Sequence, residues 1–240
     1  MGTIHNIKTA FVTGAASGLG TGFVDYLLGE GFVVFATARK LTGDLKQDKN
    51  LHWIEIDVTD DVSIDRAVLT VKSKTDSIDL LINDAGVNKD TVGNKGKDAT
   101  CSLTGLDREL LLKMIDVNAI SPVIIVKKFI PLLKGNPSFI INISSCRASF
   151  HDTEAGNYKG NYGYRASKVA LNMFTHCSLY DLPPNVKTFA VHPGDVLSKM
   201  NTVGTQLPVD QAEKIIGITK DWDDKNNGGF FWYDGRPYPL

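Results

Sequence analysis

Three observations predict a doubly wound α/β domain, a parallel sheet covered by helices on both faces. Six short apolar runs recur along the 240 residues, at Thr9–Val12, Phe32–Ala36, Leu51–Ile56, Ile78–Ile82, Phe139–Ile143 and Val186–Val191. Each is rich in β-branched and aromatic residues, the pattern of a strand buried on both faces. Longer stretches with helical spacing separate most of the runs, and such alternation builds a three-layer α/β/α domain. A glycine-rich turn follows the first run directly, and in sheets of this kind ligands collect at the carboxyl ends of the strands, near the point where strand order reverses. A chain of this length fits a single domain, 1–240.

The first run leads into Thr13-Gly14-Ala15-Ala16-Ser17-Gly18-Leu19-Gly20, and a helix is predicted from Leu19 to Gly29 with Phe23, Leu27 and Leu28 toward the sheet. Glycine permits positive φ and close approach of the backbone to a pyrophosphate, while free N–H groups and the helix dipole attract that anion. The spacing is G-x-x-x-G-x-G. The same glycines also fit a tight strand-to-helix turn with no ligand, and the turn alone does not decide between the two.

After the second run no acid lies between Phe32 and Gly43; Thr37-Ala38-Arg39-Lys40 stands there instead. An acid at this place would bond the ribose 2′-hydroxyl of NAD and repel a 2′-phosphate. Arg39 offers a planar guanidinium that suits a phosphate, with Ser17 as a second donor, so NADP(H) is favoured and NAD(H) stays possible. Solvated loop charge is the plain alternative for Arg39 and Lys40. Asp57, at the end of the third run, could accept from an adenine amino group or cap the segment from Thr59.

Residues 88–105 are polar and read as a long surface loop. A helical pattern runs from Asp107 to Leu133, with Asn118 and Pro122 four residues apart inside it. Proline has no N–H, so the carbonyl of Asn118 loses its helical donor and the helix is pushed open there. The opening could hold a water that connects to Lys168, or it could serve only to curve the helix. Ser145 follows the fifth run at the carboxyl end of a strand, placed to hold a substrate oxygen or, like Ser144, to shape a turn. Tyr164 and Lys168 lie four apart, hence on one helix face, where an ammonium would favour the phenolate and fit the phenol for general acid–base work.

Composition bounds the rest. Lysine and arginine total 26 against 27 acids, for a net charge of −1, which supplies no basic excess for nucleic acid. Cys101, Cys146 and Cys177 are irregularly spaced, so neither a disulfide framework nor a metal motif is expected, and a reducing cytoplasmic location is the simplest. No apolar run reaches the length of a membrane span.

Taken together, these residues resemble the short-chain dehydrogenase/reductase family from Lys8 to Gly235. The likeness rests on the glycine turn at 13–20, Asp57-Val58, Asn83-Asp84-Ala85-Gly86, Asn118, Ser145, Tyr164 with Lys168, and Pro193-Gly194, all in the family's order. It implies a Rossmann-type fold and a catalytic set of Asn118, Ser145, Tyr164 and Lys168. Gly14, Ser17, Gly18, Leu19, Gly20, Arg39, Asp57, Val58, Asn83, Ala85 and Gly86 would serve the cofactor. Tyr164 and Lys168 would reach its nicotinamide end, and Pro193, Gly194, Val196 and Ser198 would wrap it. The ending Asn227-Gly228-Gly229-Phe230-Phe231 resembles the branch of NADPH-dependent carbonyl reductases and C-signal proteins.

The implied activity is hydride transfer between nicotinamide and a small carbonyl or alcohol substrate, with reduction of an aldehyde or ketone expected. A second class fits the same residues: a protein that binds NADP(H) for signalling or redox sensing with little turnover. The chain departs from the family pattern at Asp84, where a second Asn is usual, at Asp195, and in a lengthened Ser145-to-Tyr164 segment holding His151, Asp152, Tyr158, Lys159 and Tyr162. That segment leaves a homo-oligomer possible.

Overall fold

A computed structural model describes residues 8–88, 102–154, 160–198 and 200–240. Its strands are β1 (Thr9–Val12), β2 (Val33–Ala38), β3 (Leu51–Glu55), β4 (Leu80–Asn83), β5 (Ser138–Ile143), β6 (Val186–His192) and β7 (Phe230–Trp232). They stand in the order β3-β2-β1-β4-β5-β6-β7. Every pairing is parallel, with Ala10 opposite both Val34 and Leu80. From β1 the chain steps outward to β2 and β3, then returns to place β4 on the other side of β1. The reversal opens a crevice at the carboxyl ends of β1 and β4.

Both faces of the sheet are buried, as the continuous apolar runs require. Ala10, Val12, Val34, Ala36, Ile82 and Ile141 point to one face, where they meet Phe23, Val24 and Leu27 of α1 (Leu19–Gly29) and Ala212, Ile215 and Ile216 of α7 (Pro208–Gly217). Phe11, Phe35, Leu81 and Ile140 point to the other. There they meet Ile64, Ala67 and Val71 of α2 (Asp61–Lys72) and Ile125, Val126 and Phe129 of α4 (Ser121–Phe129). Leu28, placed toward the sheet by its spacing, is only partly buried at the edge of the first cluster.

Helix starts follow their capping chemistry. Asp60 accepts from the Val62 N–H at 3.0 Å and Asp107 from the Leu110 N–H at 3.1 Å, which opens α2 and α3 (Arg108–Ile115). Between α3 and α4 the chain makes a π-turn at Asp116–Ile120, in which the Ser121 N–H reaches back five residues to the Asp116 carbonyl. Pro122, just inside α4, cannot serve Asn118 as a helical donor, and the long pattern from Asp107 breaks there, as its sequence predicts. Asn118 lies inside that turn, 1% exposed.

A short α5 (Phe150–Glu154) precedes α6 (Tyr162–Ser178). Asp152 accepts from the Tyr238 hydroxyl at 2.6 Å, so α5 is tied to the chain's end. Tyr158 and Lys159 lie outside the described residues. So does most of the loop expected at 88–105, of which Leu103–Gly105 forms one 3₁₀ turn.

β7 is the strand absent from the sequence reading. Its three residues, Phe230-Phe231-Trp232, are too few to show an apolar run, yet they pair with Ala190, Val191 and His192.

A buried polar chain crosses the layers: Asn83 Nδ2 donates to Asn142 Oδ1 at 2.8 Å, and Asn142 Nδ2 donates to Thr175 Oγ1 of α6 at 2.9 Å. Thr175 in turn donates to the Leu171 carbonyl at 2.7 Å. Asn142→Leu leaves the buried Asn83 Nδ2 without its acceptor, while Thr175 keeps its bond to Leu171. The expected loss is about 2–4 kcal/mol of unfolding free energy in urea titration; a loss under about 0.5 kcal/mol would show that the chain is not what joins the layers.

Candidate active site

A cleft of about 1190 Å³ lies along the carboxyl ends of the strands. That is room for more than one drug-sized ligand. One of its walls is the turn between β1 and α1. Gly14 has φ +69°, and a Cβ there would sit 2.8 Å from the Ala85 Cα, so the turn packs directly on the chain leaving β4. A Cβ on Gly20 would fall 2.4 Å from the Gly14 carbonyl oxygen. Thr13 Oγ1 accepts from the N–H groups of Asp84 and Ala85, both at 3.0 Å, and locks the two segments together. The N-cap residue of α1, Gly18, has no side chain with which to cap it, and the start of the helix borders the cleft, where its dipole favours an anion.

The other end holds the polar chemistry. Lys168, 5% exposed, donates from Nζ to the Ile143 carbonyl at 2.7 Å. Its Nζ lies 5.6 Å from the centre of the Tyr164 ring, one turn earlier on α6. Ser145 caps a short turn by accepting from the Arg147 N–H at 3.2 Å. Asn118 Oδ1 accepts from the Val87 N–H and Asn118 Nδ2 donates to the Val87 carbonyl, each at 2.8 Å. The same Nδ2 donates to Ser167 Oγ at 3.0 Å, which fastens the π-turn both to the extension of β4 and to α6.

Of the residues singled out from the sequence, Gly14, Ser17, Gly18, Leu19, Arg39, Asp57, Val58, Ala85, Gly86, Ser145, Tyr164, Lys168, Pro193, Gly194, Val196 and Ser198 all line this cleft. Three do not. Gly20 packs behind the turn, Asn118 acts from behind Val87, and Asn83 turns into the sheet toward Asn142. Strand alternation explains Asn83, since it shares a face with Leu81 and Ile140 in the core. Asp57 Oδ1 accepts from the Thr59 N–H at 3.0 Å and from the Thr59 hydroxyl at 2.7 Å, which holds its carboxyl below the usual range; α2 is capped by Asp60 instead.

Cys146, Arg147, Met200 and Asn201 line the cleft from segments 146–162 and 195–218, which sequence reasoning assigned to the pocket walls, whereas Lys113, Asp116 and His192 are among the lining residues that it missed. His192 packs against Trp232 and Tyr238, with ring centres 5.1 and 5.6 Å away, and burial pushes its pKa down to about 4. It is a neutral imidazole wall at physiological pH. The aromatic content of the last dozen residues was the available signal, but without β7 it had no position.

One electrostatic expectation is corrected. The Tyr164 phenol is not eased toward phenolate by Lys168; burial pushes it up to about 12, against weaker opposite pulls from Ser145 and Arg147. Lys168 itself is brought down to about 8 by burial, with Asp84 holding it up. The ammonium is spent on the Ile143 carbonyl rather than on the phenolic oxygen.

Comparison with known proteins gives a consistent set. The profile of the family described as short chain dehydrogenase matches residues 8–206. An uncharacterized oxidoreductase of Schizosaccharomyces pombe is 26% identical, with 97% of this chain and 98% of that protein covered. The C-signal protein of Myxococcus xanthus is 29% identical, over 69% of this chain and 94% of its own. Among solved structures, the NADPH-bound carbonyl reductase from chicken fatty liver superposes with a TM-score of 0.83 at 28% identity, covering 98% of this chain and 99% of the other. The carbonyl reductase Sniffer of D. melanogaster does so at 0.83 and 26%, covering 98% and 100%.

Proposed function

The chain belongs to the short chain dehydrogenase family, and we propose that within it the protein is an NADP(H)-dependent reductase of a small aldehyde or ketone. The observation that carries this reading is the sharing of one cleft by Ser145, Tyr164 and Lys168 with the glycine turn that leads into α1. A dinucleotide fits the turn: the Gly18 Cα faces Ser198 so closely that a Cβ would lie 3.0 Å from the Ser198 Cβ, and the Gly14 edge is as narrow. Gly14, Gly18 and Leu19 would hold its pyrophosphate, Asp57 and Val58 its adenine, and Val196 and Ser198 its nicotinamide. When bound, it supplies the hydride.

The chain's own residues then manage one oxygen and one proton. The Ser145 hydroxyl donates to the substrate carbonyl oxygen and fixes it beside Tyr164. As that oxygen gains charge, the Tyr164 phenol, protonated throughout the physiological range, gives it a proton. Lys168 stays anchored on the Ile143 carbonyl one turn further along α6. Asn118 keeps the Val87 backbone and α6 in fixed relation through Ser167. His192 and Met200 give the substrate end a wall without charge at neutral pH.

Preference for the 2′-phosphate rests on Arg39, exposed at the end of β2 on the cleft's rim with Ser17 opposite. Arg39→Ala is expected to weaken NADPH binding about 10- to 100-fold, the worth of a charge-assisted phosphate contact, and to leave NADH binding within about twofold. Parallel fluorescence titrations of both proteins with both nucleotides check it. Equal affinity of the native protein for NADPH and NADH would remove the assignment.

A further inference from the structure

Asp84 is a carboxyl group placed where two demands meet. It leaves β4 beside the glycine turn, and its side chain accepts from the Gly20 N–H in the first turn of α1. A Cβ on Gly20 would stand 2.9 Å from Asp84 Oδ2, so the carboxyl lies hard against that helix start. It also lines the cleft and feels the Lys168 ammonium from α6. The helix terminus that is to receive a pyrophosphate therefore already carries an acid.

From these placements we propose that Asp84 couples nucleotide binding to the uptake of a proton, so that this chain loads its dinucleotide with the Asp84 carboxyl protonated. The inference rests on the dinucleotide reading above. Two anions at one helix terminus repel, and a proton on Asp84 removes the repulsion while leaving a carbonyl oxygen for the Gly20 N–H. The groups facing Asp84 are few. α6 presents Lys168 and Tyr164, the loop after β1 presents the Thr13 hydroxyl, and α1 presents only backbone. No charged residue occurs in the turn from Thr13 to Gly20.

Burial sets the carboxyl near its tipping point, at about 7, even with Lys168 pulling it down. An arriving anion raises the proton affinity of every group around it. At neutral pH the Lys168 ammonium, at about 8, is already mostly protonated and has little more to take up. Asp84 is about half protonated there, so the expected uptake is about half a proton per dinucleotide bound at pH 7, with affinity falling as pH rises.

The test is calorimetric titration of the whole protein with NADPH and with NADH in buffers of different ionisation heat, which counts the protons exchanged. NADH lacks the 2′-phosphate, whose own titration near pH 6 would otherwise add to the count. Uptake in the native protein should be present at pH 7, where Asp84 titrates, extend through about pH 8 as Lys168 joins it, and fade toward about pH 5. Asp84→Asn keeps the shape and the acceptor for Gly20; its uptake at pH 7 should fall below the native count, the remainder coming from Lys168, which Asp84 no longer holds up. Lys168→Met leaves Asp84 to titrate without that ammonium, and this protein should keep an uptake, moved to higher pH; should Asp84→Asn fail to fold, it decides. Equal uptake in the native and Asp84→Asn proteins, or a native count of zero at pH 7, overturns the coupling while the nucleotide reading stands. Absence of binding of either nucleotide overturns both.

Discussion

Tyr164→Phe is expected to lower kcat for carbonyl reduction at least about 1000-fold while the NADPH dissociation constant stays within about twofold, since a positioned proton donor contributes up to about four orders of magnitude. The substitution removes one oxygen from a ring whose body packs beside Leu110, Met114 and Val87, so the shape of the wall is kept. The native pH dependence carries a sign that separates this role from a structural one. A phenol at about 12 is stocked with its proton at every working pH, so the alkaline fall that a proton donor gives to reduction should lie above the working range. The reverse reaction needs the phenolate and should rise with pH across the working range. Stopped-flow measurement of the chemical step in both directions checks this. A Phe variant retaining a tenth or more of the native rate would place the proton donor elsewhere, with bulk water through Ser145 the next candidate.

How much of this was legible beforehand differs from element to element. Helix α1 begins and ends where its glycines and the spacing of Phe23 and Leu27 place it, because local propensity and the apolar stripe agree there. The break at Asn118 was readable from Pro122 alone, a covalent fact that tertiary packing cannot override. Asn83 was not assigned its direction, although strand parity with Leu81 held the information. What the sequence could not state is the consequence of burial. Tyr164 and Lys168 have the expected spacing, yet the cleft shifts the first up and the second down, because burial is the largest cause for each. The cleft wall at His192 was equally hidden, since that residue takes its place only through the pairing of β6 with β7.

Gly14→Ala is expected to remove dinucleotide binding while leaving a folded protein. The φ of +69° charges any other residue about 1–2 kcal/mol. That alone would be tolerable. The added Cβ, however, would lie 2.8 Å from the Ala85 Cα and 2.9 Å from its nitrogen, and that nitrogen is fixed by Thr13 Oγ1. Neither partner is a flexible side chain that could swing aside. The turn must lift from the end of β4, and its N–H groups then no longer converge on one anion. An affinity loss of about 100-fold or more follows, for NADPH and NADH alike, because the pyrophosphate is common to both. This distinguishes the turn from Arg39, whose removal separates the two nucleotides. If titration of Gly14→Ala showed native affinity, the anion site would have to be sought at Arg39 and Lys113, which line the same cleft. Circular dichroism and the urea midpoint report whether the sheet survives. It should, since Gly14 lies outside the two apolar clusters that hold the layers together.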